Sequence, residues 1–212
     1  MAIDRKVFFD RVRERLFDGR LRQAQVDGLT AILDRWEAEM PTGDRRWLAY
    51  MLGTAHHETG RTMQAVRETF AASDERAIAI LDKAFRDGRL AFVRTPYWRR
   101  DRDGRSWLGR GLVQLTHKAN YQRMTQETGI DLVADPARAM ELSVAVTVMF
   151  TGMTGGAFTG RRLADYFSPG REDWINARRI VNGTERAALV AGYARAYHAA
   201  IGDTAQPARC GQ

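Results

Sequence analysis

Two glutamates carry the chemistry that this sequence suggests first. Glu58 lies in the segment WLAYMLGTAHHETG (residues 47–60), and Glu68 follows in AVRETF. If a break in the chain sets the two carboxyls across a cleft at roughly 6.5–9.5 Å, one can donate a proton while the other activates a water molecule. That is the arrangement of an inverting glycosidase. The alternative for Glu68 is a solvated surface acid beside Arg67.

The helix that carries Glu58 is expected to aim it at the protein interior. Residues three or four apart share a helix face, so Trp47, Met51, Ala55 and Glu58 lie on one apolar stripe. A carboxyl there is either paired with a buried partner such as an arginine, or partly desolvated with a raised pKa. The second condition suits a general acid that works near neutral pH.

The ends of this helix decide whether the two acids can meet. Asp44 is expected as its N-cap and Gly60 as its stop. A helix that continued through both glutamates would place them roughly 15 Å apart and on different faces. The break at Gly60 therefore allows the chain to fold back and bring Glu68 towards Glu58.

Other chemistries find little support in the sequence. His56, His57 and Glu58 invite a zinc interpretation, but Arg61 stands where a helical zinc motif needs its second histidine. The remaining histidines have no ligand spacing, and neither a Ser or Cys nucleophile motif nor a phosphate-binding glycine loop is present. We therefore expect no metal and no cofactor.

The segment from residue 97 to residue 121 is the second candidate region. The pair Asp103-Gly104 lies between arms that contain aromatic residues, which predicts a β-hairpin over residues 97–115. Two glycines flank Arg110 and permit close approach of a ligand or a strained turn. Aromatic rings beside uncharged polar groups suit sugars, and the candidates are Trp98, Trp107, Gln114, Thr116, Asn120 and Tyr121. The alternative is a structural hairpin whose amides satisfy backbone groups.

Composition limits the possible partners. The 212 residues are 44% hydrophobic and 28% charged, with a net charge of +7, as in a basic globular protein. Such a charge favours polyanions, among them nucleic acid, anionic lipid and bacterial wall polymers. The basic residues are scattered among acids without a recognition motif, so we expect no nucleic-acid partner. The one cysteine, Cys210, excludes an internal disulfide.

Hydrophobic periodicity predicts a mainly helical protein. Helices are expected over residues 4–17, 22–37, 44–60, 75–86, 117–128, 137–152, 160–167, 172–181 and 185–201. Asp74 is expected to cap the fourth, and Gly183 and Gly202 are placed as C-terminal caps. The stretch from Val144 to Phe150 is far shorter than the roughly 20 residues that span a bilayer and reads as a core helix. The tail, residues 203–212, is expected to fray.

Three segments together resemble family 19 glycoside hydrolases, the group of chitinases and chitinase-like phage endolysins. They are HHETG around Glu58, GRGLVQLTHKANY from Gly109 to Tyr121, and RRIVNG from Arg178 to Gly183. The resemblance covers residues 44–202, leaving residues 1–43 as an N-terminal helical segment within one catalytic domain, 1–212. It implies a mainly α, lysozyme-like bilobal fold with a small β-hairpin at the cleft.

The resemblance also implies roles for individual residues. Glu58 falls on the general acid of the family, and Arg110 falls on a position that organises the cleft acids. Positions that bind sugar or order the water fall on Gln114, Thr116, Asn120 and Asn182. Plant members carry the second carboxylate further along, where this sequence has Ile80. The shorter arrangement, with Glu68 and with the adjacent Thr69 as a substrate-binding residue, is similar to the phage and bacterial branch, while Asp74 and Glu75 remain alternatives.

These observations predict a muramidase-like endolysin or autolysin of peptidoglycan, which cleaves β-1,4 bonds between amino sugars with inversion at the anomeric carbon. The alternatives are a chitinase, a lytic transglycosylase that needs only Glu58, and a non-catalytic module that binds wall polymer or nucleic acid. The N-terminus has no signal-peptide pattern. We therefore expect a monomer made in the cytoplasm and released to the periplasm or wall, with a holin-type membrane protein as a candidate partner.

Overall fold

A computed structural model describes residues 2–202, which form seven α-helices and four short strands. The helices are α1 (Arg5–Leu16), α2 (Gln23–Glu39), α3 (Arg45–Glu58), α4 (Asp74–Arg86), α5 (Lys118–Thr128), α6 (Leu142–Gly155) and α7 (Ala187–Ile201). The strands are β1 (Val66–Arg67), β2 (Arg110–Gly111), β3 (Phe167–Ser168) and β4 (Arg171–Glu172). Short 3-10 helices cover Glu68–Phe70, Pro136–Met140, Leu163–Asp165 and Asn176–Ile180. The mainly α fold class is confirmed.

The first four helices follow the predicted pattern closely. Asp44 caps α3 as expected, because its side chain accepts a hydrogen bond from the Arg46 N–H at 3.0 Å. The expected cap of α4 is wrong by one residue, since Ser73 accepts from the Arg76 N–H. Asp74 is the first residue of α4, and its carboxylate is bonded to arginines instead.

The main core lies where α3 packs against α7. Gly53 allows this close approach, because a Cβ atom there would lie 2.7 Å from the backbone nitrogen of Ala194. The apolar stretch Val144 to Phe150 belongs to the buried part of α6, as predicted. No helix within residues 2–202 is long and apolar enough to cross a membrane.

The β structure near the cleft is formed by different partners from those predicted. Asp103 and Gly104 do lie in a turn, in which the Gly104 N–H donates to the Asp101 carbonyl at 2.9 Å. Backbone hydrogen bonds join the two arms, from the Asp101 N–H to the Arg105 carbonyl at 2.8 Å and from the Trp107 N–H to the Tyr97 carbonyl at 3.2 Å, but the arms form no strand pair. Strand β2 instead pairs antiparallel with β1, placing Arg67 opposite Arg110. This pair joins the start of the Glu68 turn to the last part of the predicted hairpin.

The region after α5 contains fewer α-helical residues than predicted. The expected helix over 137–152 is split into the 3-10 helix Pro136–Met140 and α6. The expected helices over 160–167 and 172–181 are replaced by 3-10 turns and a hairpin of β3 and β4, since Pro169 and Gly170 favour a turn. Gly202 caps α7 as expected, but Gly183 follows no α-helix. The tail 203–212, with Cys210, lies outside the described residues.

Candidate active site

One cleft brings the two glutamates together. It has a volume of about 340 Å³. Its walls are formed by Glu58, Glu68, Tyr97, Val113, Gln114, Thr116, Val181 and Asn182. These residues come from the end of α3, the turn after β1, the loop before β2, the segment after β2 and the segment before α7. All three segments that carry the family resemblance therefore contribute to one concave surface.

Glu58 is the last residue of α3, and a buried arginine lies against it. Arg178 Nη1 is 2.6 Å from Glu58 Oε1, in an ion pair without hydrogen-bond geometry. The side chains of Glu58 and Arg178 are only 14% and 5% exposed. The sequence predicted either a buried partner or a partly desolvated site for this carboxyl. The structure shows the buried partner, which is an arginine.

Glu68 is held from two sides in the short turn that follows β1. Its Oε1 accepts a hydrogen bond from the Tyr97 hydroxyl at 2.7 Å, and its Oε2 accepts one from the Gly109 N–H at 2.8 Å. Its own N–H donates to the Gly109 carbonyl at 2.7 Å. Burial, together with the negative charge of Glu68, raises the pKa of Tyr97. The phenol therefore remains a donor, and the Glu68 carboxylate has one fixed orientation.

Three of the expected sugar-binding residues line the cleft. Gln114 has a positive φ of 54° and donates from Nε2 to the Val66 carbonyl at 3.1 Å, which ties it to β1. Thr116 and Asn182 lie on the same cleft. Asn120 does not line it, and its Nδ2 instead donates to the Thr116 carbonyl at 2.8 Å. Asn120 can act on the cleft by holding Thr116 in place.

Arg110 organises an acid, but that acid is Asp74. Its side chain is 1% exposed and its Nη2 is 2.5 Å from Asp74 Oδ2, while Arg67 Nε is 2.7 Å from Asp74 Oδ1. Burial of Asp74 opposes its ionisation, but the hydrogen bonds from Arg110 and Arg67 outweigh it and lower the pKa of Asp74. Glu75 is exposed and pairs with Arg100. Neither alternative to Glu68 lines the cleft.

Three aromatic residues expected to contact sugar are in the interior. Trp98 and Tyr121 are 0% exposed and Trp107 is 4% exposed. The two indole N–H groups donate to Asp82 and Asp101. The expectation that these rings face a sugar is therefore wrong. An aromatic ring can place its large apolar surface either against a sugar or in the protein core. The sequence alone does not distinguish these two environments.

Thr69 also lies away from the cleft walls. It is exposed and adopts a positive φ of 64° in the turn directly after Glu68. Its backbone shapes this turn, whereas its side chain is directed to the surface. The predicted direct role of Thr69 in substrate binding gains no support from this position.

The structure adds two residues to those expected in the site. Arg178 belongs to the RRIVNG segment and Tyr97 to the start of the predicted hairpin, yet neither was assigned a role from the sequence. A buried ion pair between residues 58 and 178 leaves no local pattern. The position of Arg178 within a recognised segment was the available signal.

The histidines before Glu58 belong to the packing of α3. His56 is 1% exposed, and its Nδ1 is 3.0 Å from the Tyr197 hydroxyl. Burial lowers the pKa of His56 to about 4, so it is neutral at physiological pH. Within residues 2–202, no group of three His, Cys, Asp or Glu side chains is placed to hold a metal ion.

The fold belongs to a known structural class. The chain has a mainly α, lysozyme-like and chitinase-like fold. In particular, it is similar to the crystal structure of a chitinase C mutant, with a TM-score of 0.50 and 16% sequence identity. The similarity covers 96% of this chain and 94% of the chitinase chain. No protein-family model and no curated protein sequence matches the chain.

Proposed function

We propose that this protein is an inverting glycoside hydrolase that cleaves β-1,4 bonds between the amino sugars of peptidoglycan. The observation that carries the proposal is the placement of Glu58 and Glu68 in one cleft, each held by a separate partner. Arg178 contacts Glu58 and Tyr97 holds Glu68. Two carboxyls with distinct surroundings can divide the roles of acid and base.

Glu58 faces Arg178 in the free protein, so in this mechanism it takes up a proton before it acts. It then donates that proton to the oxygen of the leaving sugar. Glu68 accepts a proton from a water molecule, which attacks the anomeric carbon from the opposite face. The hydrogen bonds from Tyr97 and Gly109 orient the Glu68 carboxylate for this task. Arg178 supplies a positive charge beside Glu58, which stabilises the carboxylate that proton donation leaves behind. Gln114, Thr116 and Asn182 offer uncharged polar groups to the sugar or to the water.

Peptidoglycan is the proposed substrate because the net charge of +7 suits an anionic wall. We extend the proposal to an endolysin or autolysin that acts as a monomer in the periplasm or wall, with a holin-type membrane protein as the partner for release. Chitin is the second candidate, because the similar solved structure is that of a chitinase. Chitin is neutral, so the two substrates place different demands on the surface charge.

The test is to digest purified peptidoglycan and chito-oligosaccharides in parallel and to follow new reducing ends. NMR of the first products, before mutarotation, gives their configuration. The proposal expects reducing ends from peptidoglycan with the α-anomer formed first. A β-anomer would mean retention, and a 1,6-anhydro sugar would mean a lytic transglycosylase. Either result removes the proposed role of Glu68, whereas binding without cleavage would make the protein a non-catalytic module.

A comparison of salt dependence separates wall targeting from action within the cleft. Exposed charges are screened over about 8–10 Å at physiological ionic strength. Binding to whole walls should therefore weaken with salt, while hydrolysis of a short neutral oligosaccharide should respond less. Equal sensitivity would assign the charge effect to the cleft itself.

A further inference from the structure

Phe70 stands out because its ring is exposed in a turn that already carries backbone strain. The ring is 62% exposed, although most large apolar side chains of the chain are buried. Phe70 has a positive φ of 57°, and Thr69 before it has a φ of 64°. Positive φ is a true outlier for a bulky residue, and such strain collects at functional sites.

The position of the ring relates it to both acids. Phe70 follows Glu68 by two residues, and its ring packs against Gly60, which follows Glu58 by two residues. A Cβ atom on Gly60 would lie 3.1 Å from two carbons of the ring. The ring thus bridges the two segments that carry the acids. Neither Phe70 nor Gly60 forms part of the cleft wall itself, so the ring lies outside the cleft, beside the turn that carries Glu68. One part of it rests on Gly60, and the rest faces solvent.

We propose that Phe70 is a sugar-binding platform at the edge of the cleft, which stacks on the apolar C–H face of an amino-sugar ring next to the cleaved disaccharide. This inference rests on the proposed function for its substrate. Phe70 supplies the aromatic surface that Trp98 and Trp107, buried in the core, cannot supply.

The exposed ring has a second possible use, which the experiment separates from the first. Contact with Gly60 could only brace the turn that holds Glu68, which would make Phe70 a positioning residue. A brace needs apolar bulk, whereas a platform needs a flat aromatic face. Phe70→Leu keeps bulk against Gly60 without the flat face, and Phe70→Trp enlarges that face.

The experiment compares these two variants with the wild-type protein on soluble glycan strands from peptidoglycan, freed of peptides and separated by length. For long strands we expect Phe70→Leu to raise KM about tenfold with little change in kcat. That is the loss expected when roughly 50 Å² of apolar surface is no longer removed from water. Phe70→Trp should keep or lower KM. The shortest strands that are cleaved should show a smaller effect, because they leave the platform empty.

Tryptophan fluorescence gives a reading that does not depend on turnover. The difference between the spectra of Phe70→Trp and the wild type should shift or be quenched when glycan strands are added. Phe92→Ala is the matched control, since Phe92 is 80% exposed and lies in the loop after α4. It should leave both KM and kcat unchanged.

The possible outcomes separate this inference from the proposed function. A wild-type KM in Phe70→Leu, or an unshifted difference spectrum, would overturn the platform. A fall in kcat at constant KM, for all strand lengths, would assign Phe70 to the positioning of Glu68 instead. If the wild type releases no reducing ends but glycan still shifts the Phe70→Trp spectrum, the proposed hydrolysis fails and the platform stands.

Discussion

The two acids of the cleft are positioned by very different kinds of structure. Glu58 ends a helix of 14 residues whose inner face is buried against α7. Glu68 lies in a turn of three residues, fixed by a two-residue strand, by Gly109 and by Tyr97. The first position is set by the same packing that stabilises the fold, and the second by a few hydrogen bonds. Changes around α3 should therefore act on stability, and changes around the turn should act on activity.

The largest expected effect is that of Glu58→Gln. An amide keeps the shape of the side chain but cannot donate the proton, so the rate of wall hydrolysis should fall by about 10²–10⁴-fold. Because the amide leaves the buried guanidinium of Arg178 without its counter-charge, the thermal midpoint should fall as well, and the rates are compared at a temperature where both proteins remain folded. Glu75→Gln, which alters an exposed acid outside the cleft, is the control and should hydrolyse at nearly the wild-type rate. Comparable rates for the two variants would remove Glu58 from its role.

The second prediction concerns His56 in α3 and the pH dependence of the free energy of unfolding. The folded state holds His56 neutral with a pKa of about 4, below the usual value of 6.5. Between these two values the unfolded chain binds more protons, so the free energy of unfolding should fall as pH decreases from about 6.5 to about 4. The slope from this one group is on the order of 1 kcal/mol per pH unit.

The measurement for His56 is chemical denaturation across that pH range. His56→Gln should be less stable at pH 7, because the packing with Tyr197 is disturbed, but its stability should depend less on pH. An equal slope in both proteins would assign the acid sensitivity to other groups, such as His57, whose pKa burial also lowers.

The third prediction compares two glycines in the paired helices. Gly53→Ala forces a Cβ atom onto the backbone of Ala194 and should lower the free energy of unfolding by about 1–3 kcal/mol. Gly192→Ala, in α7, meets no atom within 4 Å and should raise it by about 0.5–1 kcal/mol through helix propensity. Chemical denaturation curves of the two variants and the wild type give the free energies of unfolding. Equal effects would show that α3 and α7 can separate at little cost.

The smallest effect is expected for a substitution beside the turn that carries Glu68. Tyr97→Phe keeps the ring but removes one of the two side-chain hydrogen bonds to Glu68, which should slow hydrolysis about tenfold. Stability should change little. Tyr50→Phe is the matched control, because the Tyr50 hydroxyl is buried without a hydrogen-bond partner among the described residues. If Tyr97→Phe lost stability as well, the contrast between the two acids would be weaker than the structure suggests.

The helices with a periodic apolar face were predicted well from the sequence. The periodic apolar residues of α1 to α3, together with the Asp44 cap, placed Glu58 at the end of a buried stripe. Helical contacts are local, so their pattern is visible in a single segment. The turn at Asp103-Gly104 was predicted for the same reason.

What the sequence could not predict depends on residues far apart in the chain. Strand β2 pairs with β1 more than 40 positions earlier, and two-residue strands leave no alternating pattern. The Arg178 partner of Glu58 and the burial of Trp98 are likewise properties of the assembled fold. The resemblance to a family located the segments of the site, but the structure was needed to show which side chains reach the cleft.

The close packing of Gly53 on Ala194 has a consequence for when the protein becomes competent during its synthesis. The helix that ends in Glu58 leaves the ribosome early, but its buried face is covered mainly by α7, the last helix of the described chain. Arg178, which lies against Glu58, also emerges late. A nascent chain therefore has no assembled cleft until translation has passed residue 201. Fragments that end before α7 should therefore lack the assembled cleft.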